Sequence, residues 1–123
     1  MLLTVTLPWP DRLLHPNART HWGRKAGATK AAREMAMALA LQAGWRRALV
    51  PEGRLDLWVD FYPPDRRRRD DDGMLASFKA ARDGLAQALG IDDSRFYSHP
   101  RLLDEVRPGG EICVRITAAG DRP

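Results

Sequence analysis

Arg54-Leu55-Asp56-Leu57-Trp58-Val59-Asp60-Phe61-Tyr62, followed at once by Pro63-Pro64, is the stretch on which the fold turns. Leu55, Leu57, Val59 and Phe61 alternate with Asp56, Trp58, Asp60 and Tyr62, so residues 54–62 read as a strand with one apolar and one polar face. The prolines end it, since neither can donate a ladder hydrogen bond. Beyond a charged run, residues 73–89 change period. Met74, Phe78, Ala81, Leu85 and Ala88 recur as one buried helical stripe, closed by Gly90.

Working outward, Leu3, Val5 and Leu7 alternate with Thr4 and Thr6 as a first strand that stops at Pro8-Trp9-Pro10. Residues 11–28, rich in Pro, Asn, Gly and basic side chains, read as a long loop that orders on binding. Thr29 is a candidate N-cap for a helix running to about Ala43 and ending at Gly44. Downstream, residues 95–106 read as a strand broken at Pro100. Pro108-Gly109-Gly110 is a turn, and Ile112, Val114 and Ile116 alternate through a last strand. Residues 118–123 form a loose tail. The order β-α-β-α-β-β implies one mixed α/β (α+β) domain over residues 1–123, two main helices on a small mixed sheet.

The formal net charge is +4, and the pI near 9.8 with arginine far outnumbering lysine points to an anionic partner. Arg12, Arg19, Arg24, Lys25, Lys30 and Arg33 fall in a stretch without a single acid, interleaved with His15 and His21. Such a basic arm suits a phosphate backbone. No apolar run approaches the ~18 residues of a membrane span, and the N-terminus lacks a basic signal-peptide region. The lone Cys113 fits a reducing compartment. The expectation is a cytoplasmic protein with no membrane partner and no organic cofactor.

Pro64-Asp65-Arg66-Arg67-Arg68-Arg69-Asp70-Asp71-Asp72 carries the chemistry. Arginine forks hold phosphate oxygens, and clustered carboxylates hold a divalent cation. Taken alone, the run also reads as a solvated loop whose charges cancel. If residues 70–72 are extended, Asp70 and Asp72 face one side, where a cation would relieve their repulsion. Asp71 points away. Asp92-Asp93 is the best source of a third acid, though taken alone the pair reads first as a turn after a helix. Lys79, seven residues beyond Asp72, shares a helix face with it and can reach a phosphate, or can pair with Asp83. Trp9 and Trp22 flank the basic arm and can stack on bases or pack half-buried. No zinc spacing, glycine-rich phosphate loop or nucleophile motif is present.

Leu7-Pro8-Trp9-Pro10, the Arg-run with Asp70-x-Asp72, Lys79 and Asp92-Asp93 together resemble the RusA family of Holliday junction resolvases, bacterial and phage endonucleases that cut four-way DNA junctions. The likeness runs over essentially the whole chain. It implies an intertwined homodimer, Mg²⁺ or Mn²⁺ dependence and paired nicks on opposite strands. It carries the catalytic and metal-binding aspartates over to Asp70, Asp72 and Asp93 and a catalytic lysine to Lys79. Arg66, Arg67, Arg68 and Arg69, with Arg19, Arg24, Lys25 and Lys30, would then hold the DNA backbone. Two departures stand out: Gly73 replaces the family's asparagine, and matching Lys79 needs a three-residue insertion in the helix.

A helix of about 17 residues spans roughly 25 Å. Asp70 and Asp72 precede it and Asp93 follows it, so either the chain doubles back or each site is completed across a dimer. The second is the expectation here. The alternative to a resolvase is a catalytically weakened protein of the same fold that binds junctions or other nucleic acid without cutting.

Overall fold

The computed structural model describes residues 1–123. Its elements are β1 (Leu2–Pro8), α1 (Trp22–Gln42), β2 (Leu55–Tyr62), α2 (Asp71–Leu89), β3 (Phe96–Leu102) and β4 (Glu111–Ala118), with 3₁₀ turns at Arg12–Leu14, Trp45–Arg47 and Asp93–Arg95. This is the expected order, a mixed α+β domain of two helices on a four-stranded sheet. The sheet order is β1-β4-β2-β3. β4 is antiparallel to both β1 and β2, while β2 and β3 are parallel. Hence β1, β2 and β3 run one way, and helices α1 and α2 must return between them.

The apolar face of β2 is the centre of the core. Leu55, Leu57, Val59 and Phe61 lie with Val5, Leu7, Ile112, Val114 and Ile116 under Ala36 and Ala40 of α1 and Met74, Phe78, Leu85 and Ala88 of α2. Burying each large side chain of this kind contributes about 1.5–3 kcal/mol. The helices touch each other through Gly84, whose Cα stands directly against the Arg33 carbonyl of α1.

Three local expectations change. Helix α1 begins at Trp22, not Thr29: the imidazole of His21 accepts the Gly23 N–H at 3.1 Å as N-cap, and Thr29 sits within the helix, its hydroxyl donating to the Lys25 carbonyl. Gly23 and Gly27 had read as loop, but the alanine-rich surroundings and packing against α2 override their propensity. Pro100 does not break β3, because β3 is an edge strand and its outer side needs no N–H. The strand stops at Leu102, with the chain to Gly110 irregular.

On the second face of β2, Asp56 and Asp60 are buried. Asp60 is covered by the guanidinium groups of Arg101 and Arg115, long side chains that bury their stems while keeping their charges paired. Asp56 accepts from Arg54, from the Gly120 N–H, and bonds His99, whose ring stacks on Trp58. The His99 hydrogen bond, with Gly120 and Arg54 adding to it, holds the Asp56 carboxyl below the usual range against the opposing effect of burial. Gly120 is thereby tied to the sheet, and Asp121 accepts from Thr117; only the end of the tail is free of it.

Candidate nucleic-acid site

Because α1 and α2 each return from a parallel strand, both begin at the edge of the sheet where β1 and β2 end. Ligands of open α/β sheets gather at this carboxyl edge. Here it collects the segment after β1, the arginine loop after β2 and the first turns of both helices.

The arginine loop is organised by Asp65, which the sequence reading passed over. Its carboxylate accepts from the Arg67 N–H at 2.9 Å and from Arg69 Nη2 at 2.8 Å. These contacts, the Arg67 N–H first, lower its pKa. Arg69 also donates to the carbonyls of Asp65 and Arg67 and lies 5.3 Å from the Trp9 ring. It is therefore a structural arginine. Arg66, Arg67 and Arg68 remain exposed and line a groove beside Leu102 and Val106.

Asp70 is extended and caps α2, its Oδ1 accepting the Gly73 N–H. Asp71 and Asp72 already belong to the first helical turn. The extended geometry expected for residues 70–72 thus gives way after Asp70, since acidic side chains at a helix start stabilise its free N–H groups and its positive end. Asp70 and Asp72 both remain exposed. Asp72 and Lys79 do share a flank of α2: with Leu75, Ala76, Arg82 and Ser98 they line an open depression between α2 and β3.

Asp93 stands further down that flank. Arg82 holds it, with Nη1 2.9 Å from its Oδ2 and Nη2 donating to the carbonyls of Asp93 and Phe96. Arg82 lies ten residues past Asp72, about 15 Å along the helix axis. The chain after Gly90 therefore doubles back only part of the way. No three His, Cys, Asp or Glu side chains of one chain come together as a metal-binding group. Asp83 adjoins Asp93, and burial first, then the hydrogen bond and charge of Asp93, push its carboxyl pKa up. Asp92 caps the following turn through the Ser94 N–H, which with the Asp93 hydrogen bond lowers its own pKa. Arg82 was missed in sequence, although it follows Lys79 at i+3 on the same face, and Asp83 reads there only as a partner for Lys79.

The donor set suits a hard cation. Mg²⁺ commonly takes one or two carboxylates and fills its shell with water and substrate phosphate. Two exposed aspartates with oxygen atoms to spare meet that requirement.

The two tryptophans divide. Trp9 packs edge-on against Phe61 and against Gly110. Trp22, on the first turn of α1 beside exposed Arg24, is 77% exposed. Lys25 is half-buried on the same turn, Arg19 is exposed just before it, and Lys30 pairs with Glu34 at 3.9 Å.

No family model matches the chain. An uncharacterized protein of Xylella fastidiosa is 56% identical over 115 residues, 93% of this chain and 75% of that one, and the two belong to one family. The crossover junction endodeoxyribonucleases RusA of Escherichia coli K12 and of Shigella sonnei are each 28% identical over 123 residues, 96% of both chains.

Proposed function

We propose that this chain is a metal-dependent endodeoxyribonuclease that resolves four-way DNA junctions as a homodimer. The observation that carries this reading is the full-length similarity to crossover junction endodeoxyribonuclease RusA. Arg66, Arg67 and Arg68 take phosphates flanking the scissile bond, and Arg19, Arg24, Lys25 and Lys30 hold backbone further along. Asp70 and Asp72 hold Mg²⁺ or Mn²⁺, and Asp93 joins them from the second subunit. A bound ion of this type polarises a phosphoryl oxygen and lowers the pKa of water. Lys79 neutralises charge that builds on the phosphoryl oxygens, and Arg82 fixes the direction of Asp93. A two-fold dimer suits a substrate in which two strands must be cut symmetrically.

A synthetic immobile four-way junction and a matched linear duplex, each incubated in Mg²⁺ and in EDTA, test this directly. Paired symmetric cuts in the junction alone, abolished by EDTA, are expected. Equal cutting of duplex and junction would leave a nuclease without structure selectivity. Tight junction binding with no cut in Mg²⁺, or in Mn²⁺ put in its place, would favour the second reading, a junction-binding protein, to which the glycine at position 73 lends weight.

Trp22 supplies a separate prediction. Stacking of a base on an aromatic ring is worth about 1–3 kcal/mol, so Trp22→Ala should weaken junction binding by roughly 5- to 150-fold. The cutting rate at saturating protein should stay unchanged. Titration of a fluorescent junction, with single-turnover rates measured beside it, separates the two.

A further inference from the structure

Position 73 has no side chain, and the space beside it is already taken. A Cβ there would lie 2.8 Å from Asp70 Oδ1 and 2.8 Å from His15 Nε2, too close for either. The imidazole and the capping carboxylate thus border one side-chain volume. His15 reaches it from the segment after β1. The Arg12–Leu14 turn is started by Asp11, which accepts the Leu13 N–H at 2.9 Å. It is anchored by buried Leu14 and closed by the His15 N–H on the Arg12 carbonyl. The ring is oriented as well as placed: Nδ1 accepts the Asn17 N–H at 3.1 Å. In the neutral imidazole the proton then resides on Nε2, the nitrogen that faces Gly73 and Asp70.

We propose that His15 is a positioning residue for Asp70, and that the glycine at position 73 is what admits it. The ring closes the inner side of the carboxylate. Asp70 keeps the rotamer in which Oδ1 caps α2 and Oδ2 is left for a cation, while the Nε2–H offers a donor at the same spot. The role in metal binding rests on the nuclease reading above; the shared volume does not.

Two measurements test the two halves. The first is a thermal-unfolding cycle of Gly73→Ala and His15→Ala. A Gly-to-Ala change within a helix ordinarily stabilises. With His15 present it should instead lower the unfolding midpoint by a few degrees, and with His15→Ala the penalty should shrink to what the Asp70 contact alone imposes. An equal effect of Gly73→Ala in both backgrounds would overturn the shared volume. The second is Mn²⁺ affinity of the DNA-free protein, followed by electron paramagnetic resonance. His15→Ala should weaken it about 10- to 100-fold, the range for residues that orient a metal ligand. His15→Gln, which retains an N–H donor, should recover most of the loss. Unchanged Mn²⁺ affinity in His15→Ala, or no recovery in His15→Gln, would overturn the positioning role. Neither measurement depends on cutting, so a wild-type protein that binds Mn²⁺ but leaves junctions intact would refute the nuclease reading and not this one.

Discussion

Subunits carrying Asp70→Asn and subunits carrying Asp93→Asn, each inactive alone, are expected to regain nicking when combined in one dimer. Either substitution removes a carboxylate charge where a cation is to be held, and the expected loss in each homodimer is on the order of a thousandfold, about 4 kcal/mol of barrier. Neither should unfold the chain. Asparagine still caps a helix, so α2 keeps its start in Asp70→Asn, and Arg82 retains its two carbonyl partners in Asp93→Asn. The recovery follows from distance. Asp93 is held by Arg82, about 15 Å down α2 from Asp72, so a site using all three aspartates draws on two chains. A mixed dimer then has one site with both substitutions and one with none. It should nick at about half the wild-type rate, one active site of two, and make no paired cuts. Purified heterodimers, isolated with two different affinity tags and assayed on a nicked-product gel, give the answer. Heterodimers as inactive as their parents would show that each site is built within one chain.

The fold was legible wherever one face of an element is buried. The alternation of residues 55–61 and the stripe from Met74 to Ala88 each announce their period, and the structure keeps both. Legibility failed where tertiary contact outweighs local preference. Gly23 and Gly27 disguise the first turns of α1, which His21 caps with an imidazole, an acceptor absent from the usual N-cap set of Ser, Thr, Asp and Asn. Nothing in residues 54–62 shows that Asp60 will be buried, because Arg101 and Arg115, which cover it, lie some 40 to 55 residues on. In the site, Asp72 and Lys79 could be placed on one flank because helical spacing alone decides it. Asp65, Arg82 and His15 act through contacts that spacing does not encode. Gly73 is the sharpest case: in sequence it reads as a lost amide, in the structure as room for His15.

A single methyl group at position 84 should destabilise this protein about as much as truncating a large side chain of its core. Glycine in the middle of a helix is ordinarily a weakness, and replacing it with alanine gains about 0.5–1 kcal/mol. At Gly84 that gain is overruled by contact. A Cβ there would lie 2.2 Å from the Arg33 carbonyl oxygen, 3.0 Å from its carbon and 3.2 Å from Ala36 Cβ. Backbone cannot rotate away as a side chain can, so α1 and α2 must separate by about 1 Å to restore van der Waals distance. Both helices rest on one sheet face, and separating them loosens Ala36 and Ala40 over Leu85 and Phe78. Overpacking of this kind costs typically 1–3 kcal/mol, and the loss of contacts beneath adds to it; Gly84→Ala should cost about 2–4 kcal/mol and lower the unfolding midpoint by roughly 10 °C. Gly27, on α1, is the matched control. A Cβ at that position meets nothing within 4 Å, so Gly27→Ala should hold or raise the midpoint. Chemical denaturation and calorimetry of the two variants read opposite signs if the helices meet at Gly84. Two stabilised proteins would mean that the α1–α2 contact is looser than the structure has it.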